Sequence, residues 1–203
     1  MAAEPLFEFA LRLGDNDLIL SQRLGAWCGH GPVLEEDLAL ANVALDLLGQ
    51  ARLWLGLAAK VEGAGRNEDQ LAYLRDAGEF RNLLLTEQPN GDYACTTVRQ
   101  YFFDAWHRLL LDTLAAGAPD PRVRDIAAKA RIEVAYHLRR SRDWVIRLGD
   151  GSEESHRRTQ AAVAELWPFA GEMFAADGVD AAVCDLAALR GPWIEQVQST
   201  LQQ

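Results

Sequence analysis

Apolar residues recur at three- and four-residue spacing along most of the chain, the period of a helix with one buried face. From Pro5 to Gly29 the pattern runs through Leu6, Phe9, Leu13, Ile19, Leu20, Leu24 and Trp27, and Gly29-His30-Gly31-Pro32 supplies a glycine stop followed by proline. Gly14 lies inside this first helix. There it costs about 1 kcal/mol against alanine, so a bend or break is expected at that point. A second helix is predicted from Leu34 to Val61, with Glu35, Glu36 and Asp37 in the first turn, where the macrodipole favours negative charge, and Gly63-Ala64-Gly65 at its end. Two short helices, over Asn67–Asp76 and Glu79–Thr86, lead to the turn Gln88-Pro89-Asn90-Gly91-Asp92.

The third long helix, Thr96 to Ala116, carries Tyr101, Phe102, Phe103 and Trp106, and the fourth runs from Pro121 to Leu148. A fifth continues from Ser152 to about Ala176 with Pro168 kinking or splitting it. The last begins near Asp180, is interrupted at Gly191-Pro192 and resumes at Trp193. No segment alternates apolar and polar residues as a strand does, so the class is all-α. Four long helices joined by one long middle connection predict a four-helix bundle with a crossover and additional C-terminal helices.

With 203 residues and 49% hydrophobic content, the chain is large enough for a core of its own, and a single domain over residues 1–203 is expected. Its formal charge of -10 repels nucleic acid and anionic membranes, and disfavours polyanionic ligands unless a local basic pocket outweighs the net field. Apolar runs such as Leu38–Leu45 are too short to span a bilayer, and no basic-then-apolar leader opens the chain, so a soluble, cytoplasmic protein is expected. Cys28, Cys95 and Cys184 match no metal or redox spacing and are expected as reduced, buried thiols.

A weak internal repeat carries the candidate chemistry. Asp17 and Asp104, Leu47 and Val134, and Gln50 and His137 are each 87 positions apart. Two helix hairpins related in this way are how a ferritin-like di-metal bundle is built, each half giving one carboxylate from its first helix and a Glu-x-x-His pair from its second. Here the frame gives Asp17, Leu47 and Gln50 in one half and Asp104, Val134 and His137 in the other. Leu47 and Val134 cannot coordinate a metal, and Gln50 is a poor substitute for imidazole. Glu133 sits one residue out of frame, about 100° around the helix. The positions therefore read as a degenerate former site: Asp17, Asp46, Leu47, Gln50, Asp104, Glu133, Val134 and His137. No catalytic, cofactor-binding or metal-binding residue is assigned.

Carboxylates left behind by a lost metal must find hydrogen bonds or a cation. A polar network of Asp17, Asp46, Asp104, Glu133 and His137 is expected, with Arg52 or Arg139 as cationic partners. Leu47 and Leu48 are expected to pack, and Gly49 to permit a close helix approach. His107 is expected to be satisfied by hydrogen bonds, and aromatics on the first and third long helices to be core or interface anchors.

Several segments carry a resemblance: Leu11–Asn16 with Leu20–Gly25, Asp37–Arg52, Asn82–Leu85 with Glu87–Gly91, Arg99–Phe102 with Asp104–His107, and Tyr136–Arg139. Together they resemble the C subunits of bacterial ring-1,2-phenylacetyl-CoA epoxidases, multicomponent monooxygenases of aerobic phenylacetate breakdown, over nearly the whole chain. The family usually continues past the position of Gln203, so a shortened C-terminus is expected. The resemblance implies a structural, ferritin-like subunit in a hetero-oligomer with a homologous catalytic A subunit and other subunits of the complex, without nucleic acid or membrane as a partner. It also implies that the di-iron centre lies in the A subunit, with NADPH, FAD and an iron-sulfur cluster in a reductase, and no cofactor in this subunit. The alternatives are a metal-binding ferritin-like oxidase acting on its own through Asp104, Glu133 and His137, and a stand-alone helical binding module.

Overall fold

The computed structural model describes residues 3–203, and the described residues form helices and turns with no strand. The chain order is α1 (Ala3–Gly25), α2 (Leu34–Glu62), α3 (Glu68–Tyr73), α4 (Leu84–Glu87), α5 (Tyr93–Gly117), α6 (Pro121–Gly149), α7 (Glu153–Leu166), α8 (Gly178–Ala181) and α9 (Arg190–Leu201). The helices α1 and α2 form one hairpin and α5 and α6 the other, and α2 packs on α6 to close the ferritin-like bundle. The connection over residues 63–92 is the predicted crossover.

Helix α1 passes Gly14 without interruption. The glycine is there for packing: a Cβ at this position would lie 2.7 Å from Cγ and Cδ2 of Leu55 and 3.3 Å from the Leu55 backbone nitrogen, so it allows α1 to press directly on α2. At the end of α2, Gly63 takes φ +68 and its N–H donates to Ala59 O at 3.1 Å, the left-handed glycine stop. By length and composition α2 would pass as a membrane span. It is a core helix instead, burying Leu47, Trp54, Leu55 and Ala58 within the bundle.

Helix α5 is the axis of the core. Tyr101, Phe102, Phe103 and Trp106 are all buried, each removing about 150–250 Å² from water. Of the two roles expected for them, core or interface anchor, they take the first. The C-terminal helices wrap this axis: Trp193 Nε1 donates to Phe102 O at 3.0 Å, and the Tyr101 hydroxyl donates to Thr200 Oγ1 at 2.7 Å. The fifth helix ends at Leu166, and Pro168 opens a 3-10 segment through Phe174. Only a single helical turn forms near Asp180, where Arg12 of α1 pairs with Asp180 at 2.7 Å and Asp177 at 2.6 Å. Gly191 and Pro192 do not interrupt the last helix; they lie in the first turn of α9, where proline's missing N–H has no helical partner to lose.

The crossover is tied down by buried polar groups. Asp15, fully buried, pairs with Arg75 and accepts the Arg81 backbone N–H at 2.8 Å, while Asn16 Oδ1 accepts Leu83 N–H at 2.7 Å. Arg99 is buried and held by neutral acceptors; it donates to Gln88 O at 2.6 Å and Asn90 Oδ1 at 2.8 Å. Burial lowers its pKa to about 10. The thiols are all free, but only Cys95 is buried; Cys28 is exposed in the turn after α1 and Cys184 is half-buried.

Candidate functional site

The candidate residues converge on the middle of the bundle, and two cross-helix pairs join its halves. His137 on α6 donates through Nε2 to Asp46 Oδ2 on α2 at 3.0 Å, and one turn away Gln50 Nε2 donates to Glu133 Oε2 at 2.8 Å. The antiparallel register of α2 and α6 makes both pairs possible at once: four residues forward on one helix meet four residues back on the other. Leu47 and Val134, the two positions where a ligand glutamate would stand, are fully buried aliphatics. They fill space between these pairs.

On the opposite side, α1 and α5 contribute the two buried aspartates. Asp104 is well served: Gln100 Nε2 donates to Oδ1 at 2.7 Å and Ser141 Oγ donates to Oδ2 at 2.8 Å. Burial still raises its pKa to about 6, offset in part by His137, these two hydrogen bonds and Arg140. Asp17 has no such service. Both its oxygens are buried and unbonded, and His107 Nε2 stands 3.9 Å from Oδ1. Burial, with repulsion from Glu133, drives the Asp17 carboxyl well above the ordinary carboxylate range. Burial, with repulsion from His137, pushes the His107 imidazole down to about 3. Both shifts favour the uncharged forms, and at 3.9 Å the two groups make no hydrogen bond.

The repeat explains the asymmetry. The positions 87 before Gln100 and Ser141 are Leu13 and Trp54, so the two donors that satisfy Asp104 have no matching counterpart beside Asp17. Gln50 Oε1, Gln100 Oε1, and Nδ1 of both His107 and His137 also meet no hydrogen-bond partner among the described residues.

The expected cationic partners are elsewhere. Arg52 is exposed, 3.7 Å from Glu68, and Arg139 lies over the Tyr136 ring. The buried cation of this region is Arg140, which pairs with Glu36 while the Tyr93 hydroxyl donates to the same carboxylate at 2.9 Å. The candidate residues therefore form two α2–α6 pairs, one satisfied aspartate and one unsatisfied one, and not a single network. Gln100, His107 and Ser141 belong to the site although the metal frame does not include them. The offset that pairs Asp17 with Asp104 would have flagged Gln100 and Ser141 as polar residues lacking mates.

A di-iron centre does not fit these residues. Two of the required glutamates are replaced by buried aliphatics, and among the described residues no three His, Cys, Asp or Glu side chains cluster in a way that could hold a metal ion. Gly49 is also not at a close helix contact: nothing lies within 4 Å of where its Cβ would be. It lies on the floor of an open groove between α2 and α6.

The sequence matches the phenylacetic acid catabolic protein family over residues 1–203. The chain belongs to this family. It is 52% identical over 198 residues to the C subunit of the 1,2-phenylacetyl-CoA epoxidase of Escherichia coli (strain K12), an alignment that covers 95% of this chain and 79% of that relative. In this member of the phenylacetic acid catabolic family, Leu47 and Val134 occupy the centre of the bundle as hydrocarbon.

Proposed function

We propose that this chain is a non-catalytic, cytoplasmic subunit of a phenylacetyl-CoA epoxidase, folded as one helical domain and supporting a homologous catalytic subunit that carries the di-iron centre. The observation that carries the reading is the filling of the bundle centre by Leu47 and Val134, with the flanking polar groups paired to one another or held neutral. A bundle so filled has kept its packing and lost its donor set. In this reading dioxygen activation belongs to the catalytic partner, and electrons reach it from NADPH through a flavin and iron-sulfur reductase. This chain supplies a rigid surface.

That surface is the outer face of α2 and α6. Leu34, Leu38 and Leu45 are exposed along α2, and Ile132 and Tyr136 along α6. They form an apolar face beside the Asp46–His137 and Gln50–Glu133 pairs, of the kind that marks a protein–protein contact. The aromatics of α5 lie in the core, so the anchors are these four aliphatic residues and Tyr136. The test is co-expression with the homologous catalytic subunit followed by size-exclusion chromatography and metal analysis of each chain. The expected result is a stable complex with iron on the partner alone, lost when Leu45→Arg and Ile132→Arg are combined. Stoichiometric iron on this chain, or two chains that elute separately, would overturn the reading.

A further inference from the structure

Trp27 in the turn after α1, Tyr93 at the start of α5 and Trp144 on α6 form a continuous aromatic file. The ring centres of Trp27 and Tyr93 are 5.7 Å apart and those of Tyr93 and Trp144 5.4 Å apart, both pairs edge to face. All three side chains are half-buried, so the file follows the edge of the core and stays within reach of solvent. Tyrosine and tryptophan are the ring side chains that give up one electron most readily, and rings in contact let a hole move from one to the next.

The middle ring has a proton acceptor in place. The Tyr93 hydroxyl donates to Glu36 Oε2 at 2.9 Å and accepts from Arg140 Nη2 at 3.2 Å, and Arg140 also pairs with Glu36. Burial raises the Tyr93 phenol above its ordinary range, so it does not lose its proton alone. Glu36, already hydrogen-bonded to it, is placed to take that proton as an electron leaves. The flanking indoles differ. The Arg147 guanidinium lies 5.4 Å from the Trp144 ring centre, where its charge disfavours a positive hole. Trp27 instead donates its Nε1–H to Thr96 Oγ1 at 3.0 Å. A hole that enters at Trp144 is therefore passed on to Tyr93.

We propose that Tyr93 is a redox-active residue that quenches one-electron oxidants arriving through Trp144 or Trp27. The oxidant is an oxygen-centred radical of the hydroxyl or peroxyl class, which takes one electron from an indole and, with a solvent proton, leaves as water or a hydroperoxide. An electron from Tyr93 fills the indole hole, and the Tyr93 O–H bond breaks as a new O–H bond forms on Glu36. A soluble reductant of the ascorbate class, itself oxidised by one electron, then restores Tyr93 while Glu36 returns the proton. Glu36 lies between the exposed Leu34 and Leu38 on α2, and Arg140 one turn beyond the exposed Tyr136 on α6. The file thus borders the face on which the catalytic partner is proposed to dock. The partner's dioxygen chemistry as the source of the radical rests on the epoxidase-subunit reading; the redox behaviour of Tyr93 does not.

The experiment is flash oxidation of the purified full chain by photogenerated ruthenium(III) tris-bipyridine, followed by transient absorption and freeze-quenched electron paramagnetic resonance. A Cys28→Ser/Tyr73→Phe/Tyr136→Phe background removes the exposed thiol and phenols, and circular dichroism checks folding. A tyrosyl radical is expected in this background and should be lost with Tyr93→Phe, which leaves a tryptophan radical. With Glu36→Gln, which keeps the size of the acceptor and removes its basicity, the tyrosyl radical should form at least about tenfold more slowly. Trp27→Phe combined with Trp144→Phe should slow it as well. An undiminished tyrosyl signal with Tyr93→Phe, an unchanged rate with Glu36→Gln, or an unchanged rate with the paired tryptophan variant would each overturn the proposal. The last two decide the matter if Tyr93→Phe does not fold. If the radical forms as expected but the partner never co-elutes, the subunit reading falls and the relay stands; if the complex forms and Tyr93 yields no radical, the relay falls alone.

Discussion

His107 Nε2 stands 3.9 Å from Asp17 Oδ1 with both side chains almost wholly removed from water. An ion pair so placed would need further hydrogen bonds to offset desolvation, and the Asp17 oxygens have none. The neutral form is the one that burial leaves. Asp17→Asn is therefore expected to leave the urea midpoint unchanged or to raise it, whereas Asp17→Lys should prevent stable folding. Carbon-13 NMR of the Asp17 carboxyl through a pH titration should find it still protonated above the ordinary carboxylate range; ionisation within that range would refute the neutral assignment.

Asp104 gives a pH dependence with a definite sign. Its folded-state pKa of about 6 lies above the unfolded value of 3.8. The folded chain then binds more protons between those values, and stability from this group falls as pH rises from about 4 to about 6. His107 acts in the opposite direction: with a folded value of about 3 against 6.5 unfolded, its contribution rises over that window. Asp104→Asn removes only the falling component, since an amide can still accept from Gln100 while Ser141 turns to accept from it. The variant should exceed wild type by on the order of 1–3 kcal/mol at pH 7. The advantage should shrink toward pH 4, as read from urea denaturation at each pH. A constant gap would assign the effect to packing.

Glycines on the two hairpin helices should respond oppositely to alanine. At Gly14 the new methyl would meet Leu55 at 2.7 Å, and overpacking of this kind costs about 1–3 kcal/mol, more than helix propensity returns. At Gly49 the methyl enters open space, and the propensity gain of about 1 kcal/mol stands alone. Thermal melts of Gly14→Ala and Gly49→Ala should move in opposite directions.

Leu47→Glu combined with Gln50→His restores the metal frame in one half only, leaving Val134 in the other. Iron analysis after anaerobic loading should find no stoichiometric di-iron site, and a buried, unpaired glutamate should lower stability by about 3 kcal/mol or more. Two irons per chain in this variant would show that the second half needs no repair.

The long helices were legible because each combines a 3.6-residue apolar period with a punctuated end, as Gly63 and Pro121 illustrate. The ends of the chain's second half were less so. Pro192 reads as a breaker in isolation and is a helix starter in place, because only the preceding turn decides which N–H it lacks. The 87-residue offset located Asp17, Asp104, Gln50 and His137 at one level of the bundle, yet gave no information on which group bonds which. The pairs Asp46–His137 and Gln50–Glu133 depend on the rotation of α2 against α6, which periodicity does not specify. Arg52 and Arg139 illustrate the same gap: an arginine near a carboxylate in sequence order can face away from it, as both do. Arg99 was hidden for another reason. Its partners are a loop carbonyl and an asparagine in the crossover, and no residue-type pattern signals a backbone acceptor.

The two aspartates, one hydrogen-bonded twice and the other not at all, are held in the fold by different constraints. The half containing Asp104 supplies a glutamine and a serine that satisfy its carboxyl, while the half containing Asp17 supplies no such donors. Sequence drift should then be freer around Asp17, where nothing is gained by keeping a carboxylate. Relatives that have replaced Asp17 by an uncharged residue, while retaining Gln100, Asp104 and Ser141 together, would mark that difference in constraint.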